Sequence, residues 1–167
     1  KYAFNKDNSE LCIEFLSNID KYSTKIKTLL ENLENSNGKV FIYSEYKKGD
    51  YAGTFLLAIL LEYYGYFRKT INKEKNGLII NSYLDNNNVS DKKKYYIMVD
   101  GSTPQDDFTF YKNTFNSDNN INGNIIKIII GTTNMIEGVS LNNVRQIHIM
   151  QPWYNISRND QIVGRGV

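Results

Sequence analysis

The sequence predicts an α/β domain built on a mainly parallel sheet. Three short apolar runs, at residues 39–43, 125–130 and 144–150, are typical of strands that are covered on both faces. A fourth strand is predicted at residues 95–99, and predicted helices alternate with the strands along the chain. This alternation favours right-handed crossovers, with helices packed on both sides of one sheet.

Five helices are predicted, each from apolar residues at helical spacing or from capping residues at its start. Ser23 or Thr24 is expected to cap the second helix. Pro104 is expected at the first helical position of the fourth helix, and residues 157–160 read as a capping box for the last. The five stretches are residues 11–19, 24–36, 51–64, 103–115 and 157 onward.

Length and composition limit the class of protein. The 167 residues fit one domain over positions 1–167, which we expect to be a monomeric fragment of a larger protein. Hydrophobic residues make up 41% without a run long enough for a membrane span, so no membrane partner is expected. A net charge of +2 is too small to attract nucleic acid by a global field, so any such partner must be met by local groups.

Cysteine, histidine and acidic residues give little sign of further chemistry. Cys12 is the only cysteine, which excludes an internal disulfide and fits a reducing, intracellular compartment. No His, Cys and Asp grouping has metal-ligand spacing, so no residue is assigned to a metal. His148 is predicted to be structural. Residues 72–94, rich in Asn and Lys, are predicted to form a polar surface excursion that need not be ordered.

Polar segments follow the predicted strands where function is expected in a parallel sheet. The loops after Tyr43, Val99, Ile130 and Met150 contain hydroxyl, amide or glycine residues. The carboxyl ends of parallel strands meet at one edge, and ligands bind outside that edge. Trp153 lies in the last of these loops, and stacking on a base and packing under the last helix are both open to it.

The chain ends in the string Gln161-Ile162-Val163-Gly164-Arg165 at the predicted start of a helix. One helical turn separates Gln161 from Arg165, so an amide and a guanidinium can reach one point. A planar cation that stabilises charge on a phosphate, and an amide that positions water, are groups that phosphoryl transfer uses. We expect Arg165 and the bend at Thr132 to open onto a common edge of the sheet.

Two motifs in order carry a resemblance to a known family. After the strand at 125–130 come Gly131-Thr132-Thr133 and then Gly138, and one strand later comes Gln161-x-x-Gly164-Arg165. This order resembles motifs V and VI in the second RecA-like lobe of superfamily 2 helicases and translocases. The sequence around these motifs is most similar to the nucleoside triphosphatase I and early-transcription-factor-like ATPases of large DNA viruses. The resemblance implies a RecA-like, three-layer α/β/α fold.

The resemblance also implies roles for individual residues. Arg165 and Gln161 would act at the γ-phosphate of ATP, and Gly138 and Gly164 would belong to the nucleotide-binding part of the two motifs. Nucleic-acid backbone contacts would come from four residues at the ends of strands. Those four are Ser44, Gly101, Thr132 and Thr133.

The remaining half of such a motor is missing from these residues. The sequence has no Gly-x-x-x-x-Gly-Lys-Ser/Thr phosphate loop and no Asp-Glu pair after a strand. By resemblance, ATP and Mg²⁺ would be bound mainly by an N-terminal RecA-like lobe, and this fragment alone would be inactive. The partner nucleic acid is DNA or RNA. A viral member would act at a cytoplasmic replication site or in the virion.

Two alternatives to a helicase lobe stay open. One is a non-catalytic nucleic-acid-binding or scaffolding module that kept the lobe and lost the motor. The other is a transcription-termination-type translocase that moves along nucleic acid without strand separation.

Overall fold

The computed structural model describes residues 9–46, 53–74, 77–82, 94–132 and 139–166. The chain divides into two compact units, Lys1–Asn35 and Ser36–Val167. The single domain predicted from length therefore contains two units. Within the described ranges, no helix has both the length and the apolar character that crossing a membrane requires.

The first unit is helical. It contains α1 (Ser9–Ser17), α2 (Ile19–Tyr22) and α3 (Thr24–Asn35). Ser23 caps α3 as predicted, because its hydroxyl oxygen accepts from the amide of Ile26 at 3.3 Å. The buried side chains of α3 recur at three- and four-residue spacing along one side of the helix: Ile26, Leu29, Leu30 and Leu33.

The second unit contains a six-stranded sheet in the order β3-β2-β4-β5-β1-β6. Strands β2, β4, β5, β1 and β6 are parallel, and β3 pairs with β2 in the antiparallel sense. The predicted mainly parallel sheet is confirmed. The strands are β1 (Lys39–Tyr43), β2 (Tyr66–Glu74), β3 (Gly77–Ser82), β4 (Lys94–Val99), β5 (Ile128–Gly131) and β6 (Val144–Ile149).

Helices cover both faces of this sheet. The helices are α4 (Gly53–Tyr63), α5 (Gln105–Asn116) and α6 (Ile156–Val163). Tyr96 donates through its hydroxyl to Glu62 of α4 at 2.7 Å, whereas its neighbour Ile97 packs in a buried cluster with Phe115 of α5. Successive residues of a strand point to opposite faces, so α4 and α5 lie on opposite sides. Ile162 of α6 joins the α5 cluster, which confirms the three-layer α/β/α arrangement.

Part of the stretch predicted as a polar excursion, residues 72–94, forms two paired antiparallel strands. Strand β2 continues to Glu74, and β3 occupies Gly77–Ser82 beside it. Backbone groups can be satisfied in a ladder whatever the side chains are, so a polar composition does not exclude strands. Residues 83–93 lie outside the described residues.

Two predicted boundaries were wrong for a local reason. Strand β5 begins at Ile128 rather than Ile125, because the side-chain oxygen of Asn120 accepts from the amides of Ile125 and Ile126 at 2.9 and 3.0 Å. Helix α6 is capped by Asn155, which accepts from the amide of Ser157 at 3.0 Å. Since Ser157 is already inside the helix, the predicted capping box does not form.

Candidate functional site

Four loops leave the sheet at one edge, as the sequence predicted. They follow β1, β4, β5 and β6, whose last residues are aligned in the parallel register. Backbone hydrogen bonds continue the alignment just beyond the strands: Ser44 N to Gly131 O at 3.0 Å, Thr132 N to Val99 O at 3.3 Å and Met150 N to Tyr43 O at 2.9 Å. We call this the carboxyl edge, and the opposite one, where these strands begin, the amino edge.

Ser44 lies at the carboxyl edge but points into the domain. Its side chain has 0% exposure, and its hydroxyl donates to Oε1 of Gln151 at 3.0 Å. The same oxygen of Gln151 accepts from the amide of Glu45 at 3.2 Å. The expected contact between the Ser44 hydroxyl and a nucleic-acid backbone is therefore not available in this conformation. Sequence reasoning did not assign Gln151, although a glutamine directly after a strand in this position was the available signal.

The other predicted backbone contacts differ in exposure. Gly101 is exposed in a tight turn, in which Asp100 Oδ1 accepts from the amide of Ser102 at 2.8 Å. Thr132 is 6% exposed at the end of β5. Thr133 lies outside the described residues, as does Gly138.

Gln161, Gly164 and Arg165 come together at the end of α6. Gln161 is exposed in the last turn of the helix. Gly164 ends the helix with φ −63° and ψ −7°, and a Cβ there would lie 3.3 Å from the carbonyl oxygen of Asp160. The lack of a side chain at Gly164 therefore permits a close approach to the preceding helical turn. The residue has ordinary helical dihedral angles and is not left-handed.

Arg165 has an unusual environment for an arginine. The residue is half-buried, and its Nε is buried with no hydrogen-bond partner in the part of the chain that the structure describes. Its carbonyl oxygen accepts from the amide of Leu141 at 2.6 Å. Directly after it, a Cβ on Gly166 would lie 2.6 Å from Cδ1 of Ile147, so the chain after α6 passes close to β6. The main chain of Arg165 is thus held on both sides while part of its guanidinium has no internal partner.

The main chain after α6 lies beside β6, and the expectation that the guanidinium of Arg165 shares an edge with Thr132 stays a prediction. Gly166 packs against Val144 and Ile147, in the first four residues of β6. Thr132 instead follows the carboxyl end of β5. Helix α6 runs back along the sheet for eight residues, about 12 Å at 1.5 Å per residue, and carries Arg165 away from the carboxyl edge.

Trp153 is fixed to α6 by two kinds of contact. The side-chain amide of Asn159 pairs with both backbone groups of Trp153, donating to its carbonyl at 2.9 Å and accepting from its amide at 3.0 Å. The guanidinium of Arg158 lies 3.8 Å from the centre of the indole ring. Packing against α6 is the alternative that the structure favours for Trp153. Its neighbour Tyr154 is 93% exposed.

Burial shifts the pKa of one titratable side chain in β6 and of another at the start of β1. Burial lowers the pKa of His148, whose Nε2 lies 3.1 Å from Oε1 of Gln146. Burial, and then the charge of Arg145, lowers the pKa of Lys39. Among the residues described, no three His, Cys, Asp or Glu side chains are grouped as metal ligands would be.

Comparison with known proteins gives the family. Residues 24–167 match the helicase conserved C-terminal domain. A protein of Acanthamoeba polyphaga mimivirus, named as an ATP-dependent RNA helicase, is 33% identical over 156 residues, which are 91% of this chain and 23% of that protein. A termination factor NPH-I homolog of African swine fever virus is 28% identical over 161 residues, covering 86% of this chain and 22% of the relative. The chain therefore spans less than a quarter of the length of either relative.

A solved structure has the same fold. The C-terminal part of the Fun30 ATPase domain superposes with a TM-score of 0.58 at 20% identity, covering 98% of this chain and 46% of that one. The family match extends over the strands, the carboxyl edge loops and α6. On this match, the chain belongs to the helicase conserved C-terminal domain family.

Proposed function

We propose that this domain is the second motor lobe of an ATP-dependent nucleic-acid helicase or translocase. The observation that carries the proposal is the guanidinium of Arg165, whose Nε is buried without a partner among the described residues. A planar guanidinium suits the oxygens of a phosphate, to which it can donate two parallel hydrogen bonds. The order of motifs and the family match support this assignment.

The nucleotide would lie between this domain and an N-terminal RecA-like lobe. Because residues 1–167 contain neither a phosphate loop nor an Asp-Glu metal pair, that lobe would hold ATP and Mg²⁺ and supply the metal's charge neutralisation. Arg165 would stabilise charge on the γ-phosphate, Gln161 would orient water, and Gly164 and Gly138 would line the nucleotide. The isolated domain would then hydrolyse no ATP at a useful rate.

Nucleic acid would be gripped at the carboxyl edge. Gly101 follows β4 and Thr132 follows β5, Thr133 is the next residue in the sequence, and Ser44 is bonded inward in the loop after β1. Contacts from such loops to sugar and phosphate hold the backbone without reading sequence, which suits a protein that moves along its substrate. ATP and nucleic acid would thus meet two different surfaces of one domain.

The decisive variant is Arg165→Ala in the full-length protein. Nucleic-acid-stimulated ATPase should fall by about 10³-fold or more, since an arginine that completes a phosphoryl-transfer site is worth 10³–10⁵. The melting temperature should change little, because the Nε of Arg165 forms no internal hydrogen bond in the described part. Arg145→Ala is the matched control, an exposed arginine at the start of β6. Retained ATPase in Arg165→Ala would refute the assignment.

A translocase that does not separate strands is the second candidate. The name of the African swine fever virus relatives, a termination factor, favours it, whereas the name of the mimivirus relative favours an RNA helicase. A strand-displacement assay and an ATPase assay, each with RNA and DNA substrates in turn, distinguish a helicase from a translocase. ATPase without displacement supports the translocase.

A further inference from the structure

We infer that Gln151 and Asn159 are positioning residues that couple the loop after β1 to the end of α6. The inference deepens the proposed function and rests on it. Its basis is a continuous series of contacts from the carboxyl edge, where nucleic acid is proposed to lie, to Arg165, where ATP is proposed to lie. Neither residue needs to touch a ligand in order to act.

The first joint is the side chain of Gln151. Its Oε1 accepts both from the Ser44 hydroxyl at 3.0 Å and from the Glu45 amide at 3.2 Å. The Ser44 side chain is fully buried, and the carbonyl oxygen of Tyr46 is a second acceptor for its hydroxyl at 3.3 Å. The loop is also tied on its other side, since the carbonyl of Tyr46 accepts from the amide of Thr54 at 2.8 Å. A shift of the loop after β1 therefore shifts Gln151 with it.

The second joint is the side chain of Asn159. It holds Trp153 through two backbone hydrogen bonds of 3.0 and 2.9 Å, as a neighbouring strand would. Only Pro152 separates Gln151 from Trp153. Because proline fixes its own φ, a movement of Gln151 is expected to move Trp153 as well. The stacking of Arg158 on the indole ring adds a third contact between this loop and α6.

The last joint is α6 itself. Asn159 lies in the middle of the eight-residue helix, Gln161 follows it on the same helix, and Arg165 comes two residues after the last residue of the helix. The far end of the helix is seated by the hydrogen bond from Leu141 to the Arg165 carbonyl. Contiguous hydrogen-bonded elements of this kind can carry coupling between separate sites, of a size that changes affinity or rate by a few-fold to about thirtyfold.

The test compares stimulation of ATPase by poly(U) RNA and by oligo(dT) in the full-length protein. Gln151→Ala and Asn159→Ala should lower the ratio of stimulated to basal kcat by about tenfold. The KM for ATP should change by less than about twofold, because neither residue touches the nucleotide. Gln151→Glu keeps an oxygen that accepts both hydrogen bonds, so it should restore most of the ratio.

Asn116→Ala is the matched control. Asn116 forms a clasp of the same kind near the amino edge, donating to the Ser140 carbonyl and accepting from the Asn142 amide, both at 2.8 Å. It should lower stability but leave the stimulation ratio unchanged. A folded Gln151→Ala protein with the wild-type ratio would overturn the inference.

Hydrogen exchange separates this inference from the proposed function. If the wild-type protein shows no ATPase stimulation by nucleic acid, the proposed function is refuted. The structural coupling between the loop after β1 and α6 is not. In Gln151→Ala, the link requires faster exchange both at the Glu45 amide and at amides of α6, whereas Asn116→Ala should leave α6 unaffected. Unchanged protection of α6 in Gln151→Ala overturns the link whatever the ATPase shows.

Discussion

The two edges of the sheet use different chemistry. At the carboxyl edge, Ser44 and Thr132 are buried hydroxyl side chains, and the hydroxyl of Ser44 donates to the side chain of Gln151. The amino edge instead has a cation at or beside the start of each of four neighbouring strands. In sheet order these are Lys94, Lys127, Lys39 and Arg145.

Two of these cations satisfy backbone carbonyls. Lys39 Nζ donates to the carbonyl of Phe115 at 2.8 Å, in the last turn of α5, and lies 4.7 Å from the centre of the Phe115 ring. Lys127 Nζ donates to the carbonyl of Ser36. The last carbonyls of a helix have no partner within it and carry partial negative charge, so a cation is stabilising there. These two lysines therefore stabilise the amino edge by satisfying main-chain carbonyls.

The largest effect on stability is expected at the amino edge, from Asn120→Ala. The fully buried amide of Asn120 makes four hydrogen bonds, and its removal leaves the amides of Ile125 and Ile126 without that acceptor. At about 1–3 kcal/mol for each unsatisfied amide, the free energy of unfolding should fall by about 2–6 kcal/mol. Chemical denaturation measures it, with the exposed neighbour Asn119→Ala as control. Equal midpoints for the two variants would contradict the role given to Asn120.

A smaller loss is expected near the carboxyl edge, from Gly53→Ala. Gly53 has φ +32°, and a Cβ would lie 1.8 Å from the carbonyl oxygen of Tyr46. Overpacking of this kind costs about 1–3 kcal/mol. Gly65→Ala isolates backbone strain, since Gly65 has φ +83° and nothing within 4 Å of a new Cβ. Thermal melts should show a larger drop for Gly53→Ala, and the reverse order would mean that the Tyr46 contact does not constrain this loop.

The smallest effect is expected from Lys39→Met. Methionine keeps the apolar volume, and the Phe115 carbonyl keeps its hydrogen bond from Asn120 at 3.0 Å. Loss of the lysine bond is offset by removal of a buried cation, so stability at pH 7 should stay within about 1.5 kcal/mol of wild type.

The stability difference between Lys39→Met and the wild type should depend on pH in a definite direction. Burial lowers the pKa of Lys39 below 10.5, so between the lowered pKa and 10.5 the unfolded chain binds more protons and wild-type stability gains with rising pH. The variant lacks that gain. Its stability relative to wild type should therefore be highest at neutral pH and should fall as the pH approaches 10.5. A difference that does not change with pH would show that Lys39 titrates normally.

Much of the site could be predicted from residue order. The alternation of apolar runs and helices predicts which loops share the carboxyl edge, because parallel strands must end together. The spacing of Gln161 and Arg165 likewise predicts that they lie at one end of one helix. The hydrogen bond between Ser44 and Gln151 could not be predicted from the sequence, since 107 positions separate the two residues. They meet only because β1 and β6 are neighbours in the sheet.

The sequence by itself determined the α/β class, the order of most elements and the string that ends in Arg165, because apolar periodicity and capping act over a few residues. Only the tertiary structure decided which polar groups face inward. It gave Ser44 and Asn120 internal partners, paired β2 with β3 within the Asn- and Lys-rich stretch, and placed the main chain after Arg165 beside β6. Burial and hydrogen bonding depend on residues distant in the chain, so local patterns do not contain them.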